Sequence, residues 1–183
     1  TGFVTEPQGI AEDEGESPSL EWMRTTAKER HCAIVGSMAV RTTDGIYRNR
    51  HYFVNGKNHS VEYYDKHHLF KYGKEDLFYT AGETPTVVEY EGFRLLLLTC
   101  YDLRFPVWCR YSDAQNYDAI VIGASWSEKR QNTWQILTRA RAMENQAYVI
   151  ACNRVGDDAD GHYRGLSAII SPIGKTLAAC RQN

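Results

Sequence analysis

Apolar residues gather along this chain in short runs divided by turn signals, and one run stands out. Phe93 to Thr99 is almost unbroken apolar sequence, and Leu95 to Leu98 has no polar member. A run of this length, too short to span a membrane, predicts a strand buried on both faces. It stops at Cys100, and Tyr101, Asp102, Arg104 and Pro106 follow. Cys100 therefore stands where a central strand gives way to a loop. In α/β sheets, ligands bind beyond the carboxyl ends of the strands. A thiol delivered there by a rigid strand suits a nucleophile. A free cysteine also packs as a small hydrophobe, and this stretch alone favours neither reading.

Taken in order, residues 5–16 are acidic and glycine-containing and predict a surface loop. Ser17-Pro18 then supplies an N-cap and a first-turn proline, with Glu21 in the first turn. The helix they start buries Leu20, Met23 and Ala27 and ends near His31. Strands are expected over 32–40, 46–54 and 61–64, with Asp44-Gly45 and Asn55-Gly56 as hairpin turns. Residues 67–86 form a long connection broken by Gly73, Gly82 and Pro85, and long loops inside compact domains are usually functional. Strands 87–90 and 93–99 join at Glu91-Gly92. A helix is expected from Pro106 to about Gln115, a buried strand over 119–124, and a helix over 131–146. Strands follow at 148–152, 165–170 and 175–179, with a turn over 156–161. Hairpins mixed with strand–helix–strand units imply a mixed sheet with helices on one side, and two such sheets packed face to face.

The composition narrows the function. With 183 residues and 43% hydrophobic content, the chain can build one real core. A net charge of −2 and no basic run argue against a phosphate-binding nucleic-acid surface. No apolar stretch is long enough to cross a bilayer, and the first residues do not read as a signal peptide. Five cysteines, at 32, 100, 109, 152 and 180, include no C-x-x-C pair. That fits reduced thiols in the cytoplasm better than a disulfide framework or a zinc ribbon. The chain starts at Thr1 and stops just past a strand-like segment, so a piece of a longer protein is expected, truncated at both ends.

A cysteine nucleophile needs a base and an oxyanion stabiliser. No G-x-S-x-G, P-loop or G-x-G-x-x-G occurs. His67 and His68 are adjacent and point apart on an extended chain, so they suit hydrogen bonding better than chelation. Lys66 lies at a strand end beside Tyr63, Tyr64 and Phe70, where its ammonium could face a developing oxyanion. Taken by itself, a solvated lysine with its stem over aromatic surface is the better reading. Glu75 could hold Lys66 by a charge-assisted hydrogen bond.

Together these residues carry a resemblance. Y-D-K-H-H-L-F (64–70), E-D-L-F-Y-T-A-G (75–82), L-L-T-C-Y-D-L-R-F-P (97–106), R-A-R-A-M-E-N (139–145) and R-G-L-S-A-I-I-S-P-I-G-K (164–175) recur in this order. The chain resembles the nitrilase, or carbon–nitrogen hydrolase, superfamily over nearly all its length after residue 17. The cysteine motif with F-P, the A-S-W after the next strand and A-C-N-R-V-G are most similar to the ω-amidase-like branch.

The resemblance implies a single carbon–nitrogen hydrolase domain over 1–183, incomplete at its ends, with an α-β-β-α sandwich and mixed sheets. It implies a Glu–Lys–Cys triad in which Cys100 is the nucleophile and Lys66 the family lysine. Glu75 matches the second, supporting glutamate, and the Tyr101 amide would join Lys66 as an oxyanion donor. The family's general-base glutamate falls upstream of Thr1. Glu6, Glu12, Glu14 and Glu16 lack its motif and are not assigned the role. An open wall of the site is expected at Thr1.

The implied reaction is hydrolysis of a small non-peptide amide, the ω-amide of a dicarboxylic or 2-oxo acid, to acid and ammonia through a thioester. No cofactor or metal is expected, nor a nucleic-acid or membrane partner. The partners are the amide and water, and the assembly a homodimer or larger homo-oligomer. Arg104 and Arg130, with Lys129 between strand and helix, are candidates to hold a substrate carboxylate, and Trp126 to pack on the carbon chain. The alternatives are a nitrilase, an N-carbamoyl hydrolase, or a non-catalytic family member.

Overall fold

In this computed structural model, residues 4–159 and 161–180 are described, and they fold as two stacked sheets with a helix on each outer face. The first sheet runs β1 (Glu12–Asp13), β2 (Ala33–Arg41), β3 (Tyr47–Asn55) and β4 (Val61–Asp65) in spatial order. The second comprises β5 (Thr86–Tyr90), β6 (Phe93–Thr99), β7 (Ala119–Ala124), β8 (Tyr148–Asn153), β11 (Ala168–Ile170) and β12 (Thr176–Ala179). A separate hairpin pairs β9 (Val155–Asp158) with β10 (Gly161–Arg164).

Helix α1 (Pro18–Arg30) starts as its sequence directs. The Ser17 hydroxyl accepts from the Leu20 amide at 3.1 Å, and Pro18 occupies the first turn. Its inner face packs Met23 and Ala27 on Val40, Tyr52 and Val54 of the first sheet. Gly56 lets the next turn touch this helix, since a Cβ there would lie 1.9 Å from the Ala27 carbonyl oxygen. Helix α2 (Gln131–Asn145) covers the second sheet, with Trp134 and Ala142 against Leu96, Leu98, Ile120, Ile122 and Val149.

β6 lies between these layers and is buried on both faces, as its composition predicts. Leu96 and Leu98 face α2. Leu95 and Leu97 face Phe53 and Tyr64 of the other sheet. Each fully buried leucine contributes about 1.5–3 kcal/mol of transfer free energy. β6 also pairs antiparallel with β5 and parallel with β7, so its C-terminal end is a fixed point.

Four expectations change. Residues 106–115 form turns closed by a Ser112–Gln115 bridge and no helix. The Gln115 side-chain amide donates to the Trp108 carbonyl at 2.9 Å, and the Tyr111 amide donates to Asn145 Oδ1 at 2.9 Å, so backbone groups a helix would use are spent elsewhere. Residues 5–16 are more ordered than a loop, with a 3₁₀ turn at Pro7–Gly9 and strand β1. Of the expected turn over 156–161, Gly156–Asp158 belong to β9 and Gly161 to β10, and β11 begins at Ala168, three residues later than expected. There Asn153 Nδ2 donates to the Gly165 carbonyl and the Trp134 indole to the Leu166 carbonyl, which removes Gly165 and Leu166 from the ladder.

Candidate active site

Cys100 follows β6 directly and opens a 3₁₀ turn, Cys100–Arg104. Its φ is +46°, a left-handed conformation that costs a non-glycine residue of order 1–3 kcal/mol and persists only where the surroundings enforce it. The thiol lies 3.9 Å from the Ser125 carbonyl oxygen at the end of β7, within reach of a weak S–H···O bond. Burial pushes its pKa up, and the Lys66 charge offsets part of that rise.

Lys66 directly follows β4, its amide donating to the Asn49 carbonyl at 2.9 Å, and is 1% exposed. Its Nζ lies 2.6 Å from Glu75 Oε2. Glu75 is wholly buried and accepts two further hydrogen bonds, from Asn49 Nδ2 at 2.8 Å and the Phe70 amide at 2.6 Å. Burial works against the Lys66 ammonium, but the charge and hydrogen bond of Glu75, with the charge of Asp102 beyond it, favour the ammonium and its pKa is raised. A fixed cation thus stands beside the thiol. Gly82 closes the long connection against this strand: its amide donates to the Lys66 carbonyl at 3.0 Å, and a Cβ would meet the Asp65 carbonyl at 2.1 Å.

Lys66, Cys100 and Tyr101 share one cleft of 430 Å³, and Arg104, Trp126, Lys129 and Arg130 line it as well. Every site residue read from the sequence is therefore gathered here, except Glu75, which lies behind Lys66. The Arg104 guanidinium stands 5.1 Å from the Trp126 ring centroid and 5.9 Å from that of Tyr101. That of Arg130 stands 5.4 Å from the Phe70 ring. No Asp or Glu lines the cleft among the described residues, so its mouth is cationic. Thr1, where an open wall was expected, lies outside the described residues. Glu12 is held by Ser17 and Ser19 and Glu14 by Arg50.

Two polar clusters around the site went unread in the sequence. Asn49, on β3, steadies Glu75. Asp102, wholly buried, accepts from the Thr99 amide at 3.0 Å, the Tyr64 hydroxyl at 2.9 Å, and the His68 amide and Nδ1 at 2.9 and 3.0 Å. The Tyr64 hydroxyl in turn accepts from Trp108 Nε1 and the His67 amide, both at 3.0 Å. The two histidines work as hydrogen-bonding and stacking groups: His67 Nδ1 donates to the Gly82 carbonyl, and the rings stack on Trp108 and Phe105. Polar residues within the Y-D-K-H-H and C-Y-D motifs that immediately flank Lys66 and Cys100 were the available signal.

Comparison with known proteins follows the same lines. The family profile described as Carbon-nitrogen hydrolase matches residues 1–183. The omega-amidase YafV of Escherichia coli strain K12 is 43% identical over 181 residues, covering 97% of this chain and 68% of the relative. The 2-oxoglutaramate amidase of Bacillus subtilis strain 168 is 37% identical over 170 residues, 92% of this chain and 65% of the relative. Among solved structures, XC1258 of Xanthomonas campestris, described as a CN-hydrolase superfamily protein with an arsenic adduct in its active site, superposes with a TM-score of 0.93. It is 38% identical, covering 100% of this chain and 71% of that one.

Proposed function

The chain belongs to the carbon–nitrogen hydrolase family, and from that premise we propose that it hydrolyses the ω-amide of a dicarboxylic or 2-oxo acid to the acid and ammonia. The observation that carries this reading is a half-buried thiol and a buried, glutamate-paired ammonium facing one cleft whose mouth is cationic. The names of the Escherichia coli and Bacillus subtilis relatives supply the substrate class.

In this reading Cys100 attacks the amide carbonyl. Negative charge gathers on the carbonyl oxygen, where the Lys66 ammonium and the Tyr101 amide stabilise it. The nitrogen is protonated and leaves as ammonia, and a thioester remains on Cys100. Water attacks the thioester, the acid departs and the thiol is restored. A thiol whose pKa burial has raised is mostly protonated at neutral pH, so attack requires a base to take its proton. The resemblance assigns that base to a glutamate outside Thr1–Asn183, and Glu75 is committed to Lys66. Arg104 and Arg130 take the far carboxylate, and Trp126 packs on the carbon chain between. The five free cysteines fit a reducing, cytoplasmic setting. Exposed Ile136 and Met143 on α2, with Ile173 beyond it, fit burial against a second copy.

Ammonia release from paired substrates tests the substrate class. An ω-amide with a free carboxylate should be hydrolysed with a kcat/KM at least about tenfold above that of its methyl ester, through KM. Equal values for the two would overturn it.

A further inference from the structure

Asp102 does not line the cleft, yet its carboxylate touches both segments that carry the reacting pair. On one side it holds the Thr99 amide, one residue before Cys100. On the other it holds the Tyr64 hydroxyl and the His68 amide and Nδ1, two residues before and two after Lys66. The carboxylate is wholly buried, so these bonds do not compete with water. Lys66 and Cys100 come from different sheets, β4 and β6. Asp102 ties those two strand ends directly to one another.

We infer that Asp102 is a positioning residue that sets Lys66 against Cys100, and that the His68 Nδ1–H and Tyr64 hydroxyl are the side-chain donors that lock it. The inference rests on Cys100 and Lys66 being the reacting groups. A carboxylate accepts only, so His68 carries its proton on Nδ1. The bonds to Thr99 and His68 hold the backbone on either side of the pair and enforce the left-handed turn at Cys100. Loosening them moves the thiol relative to the ammonium without emptying the substrate cleft. Turnover then falls while substrate binding stays.

His68 makes two contacts that substitution can separate. Its Nδ1 donates to Asp102, and its ring stacks on Phe105 at 3.6 Å between centroids. His68→Asn keeps a donor at the Nδ1 position and loses the stack, whereas His68→Phe keeps the stack and loses the donor. Both variants are made in the full-length protein and assayed for kcat and KM on the ω-amide and for the rate of Cys100 alkylation by iodoacetamide. His68→Phe should lower kcat and the alkylation rate by about tenfold to a hundredfold with KM changed less than about threefold. His68→Asn should retain most of both. Tyr64→Phe, which deletes one hydroxyl, should repeat the loss in kcat and guards against a misfolded His68→Phe. The opposite order, with His68→Asn the more damaged, or wild-type kinetics in both His68→Phe and Tyr64→Phe, overturns the inference. Activity surviving in Cys100→Ala would instead overturn the reading on which it rests.

Discussion

Lys66 Nζ and Glu75 Oε2 lie 2.6 Å apart, and neither side chain reaches solvent. Such a pair is poor evidence for stability, because desolvating two charges costs about as much as their attraction returns. Its presence beside Cys100 is better explained by function: Glu75 keeps an ammonium charged in a place where it would otherwise lose its proton.

Removing one partner should therefore be far worse than removing both. Glu75→Gln leaves a buried cation unpaired and should destabilise the protein by about 3 to 5 kcal/mol in urea unfolding. Lys66→Met with Glu75→Leu should recover much of that stability and have no measurable turnover. A double variant as unstable as Glu75→Gln alone would contradict this account of the pair.

The strand that ends at Cys100 was legible because its burial is written in consecutive residues: four leucines leave no polar face to misplace. The partners of Lys66 and Cys100 read differently. Glu75 was visible only through the motif that carries it, since nothing in its spacing from Lys66 says that the chain doubles back. Asn49 and Asp102 were not read at all. Asn49 sits on the paired edge of another strand, and a lone aspartate after a strand looks like any solvated turn residue. Around Pro106–Gln115 the helix signal was local, and side-chain bonds from Gln115 and Asn145 decided the outcome. Non-local polar contacts leave little trace in periodicity.

His51 offers a pH test. It is buried between the sheets, its Nδ1–H donates to the Leu98 carbonyl at 2.9 Å, and its Nε2 has no partner. Burial pulls its pKa down to about 4. The unfolded chain therefore binds a proton near pH 6.5 that the native state refuses, and stability is lost as pH falls through that window. Between about pH 7 and pH 5 this group should account for about 2 kcal/mol. His51→Asn, which still donates to Leu98, should flatten the slope of urea midpoint against pH by about one proton. An unchanged slope would show that His51 is protonated in the fold.

The cationic mouth can be separated from the chemistry. Arg104→Met and Arg130→Met each remove a charge and keep an apolar stem over the facing rings. The residue that holds the substrate carboxylate should lose about tenfold to a hundredfold in kcat/KM, mainly through KM. The same variant should treat a carboxylate-free amide as the wild type does. A fall that is equal for charged and neutral amides would assign both arginines to the architecture of the cleft.

Cys100 is proposed to carry the covalent intermediate. Rapid acid quench of the full-length protein turning over an ω-amide, followed by intact-mass spectrometry and peptide mapping, reads this directly. The expected result is a mass gain equal to the acyl group, carried on the peptide containing Cys100, lost on standing at neutral pH, and absent together with turnover in Cys100→Ala. Turnover that persists in Cys100→Ala, or an acyl group carried on another residue, would contradict it.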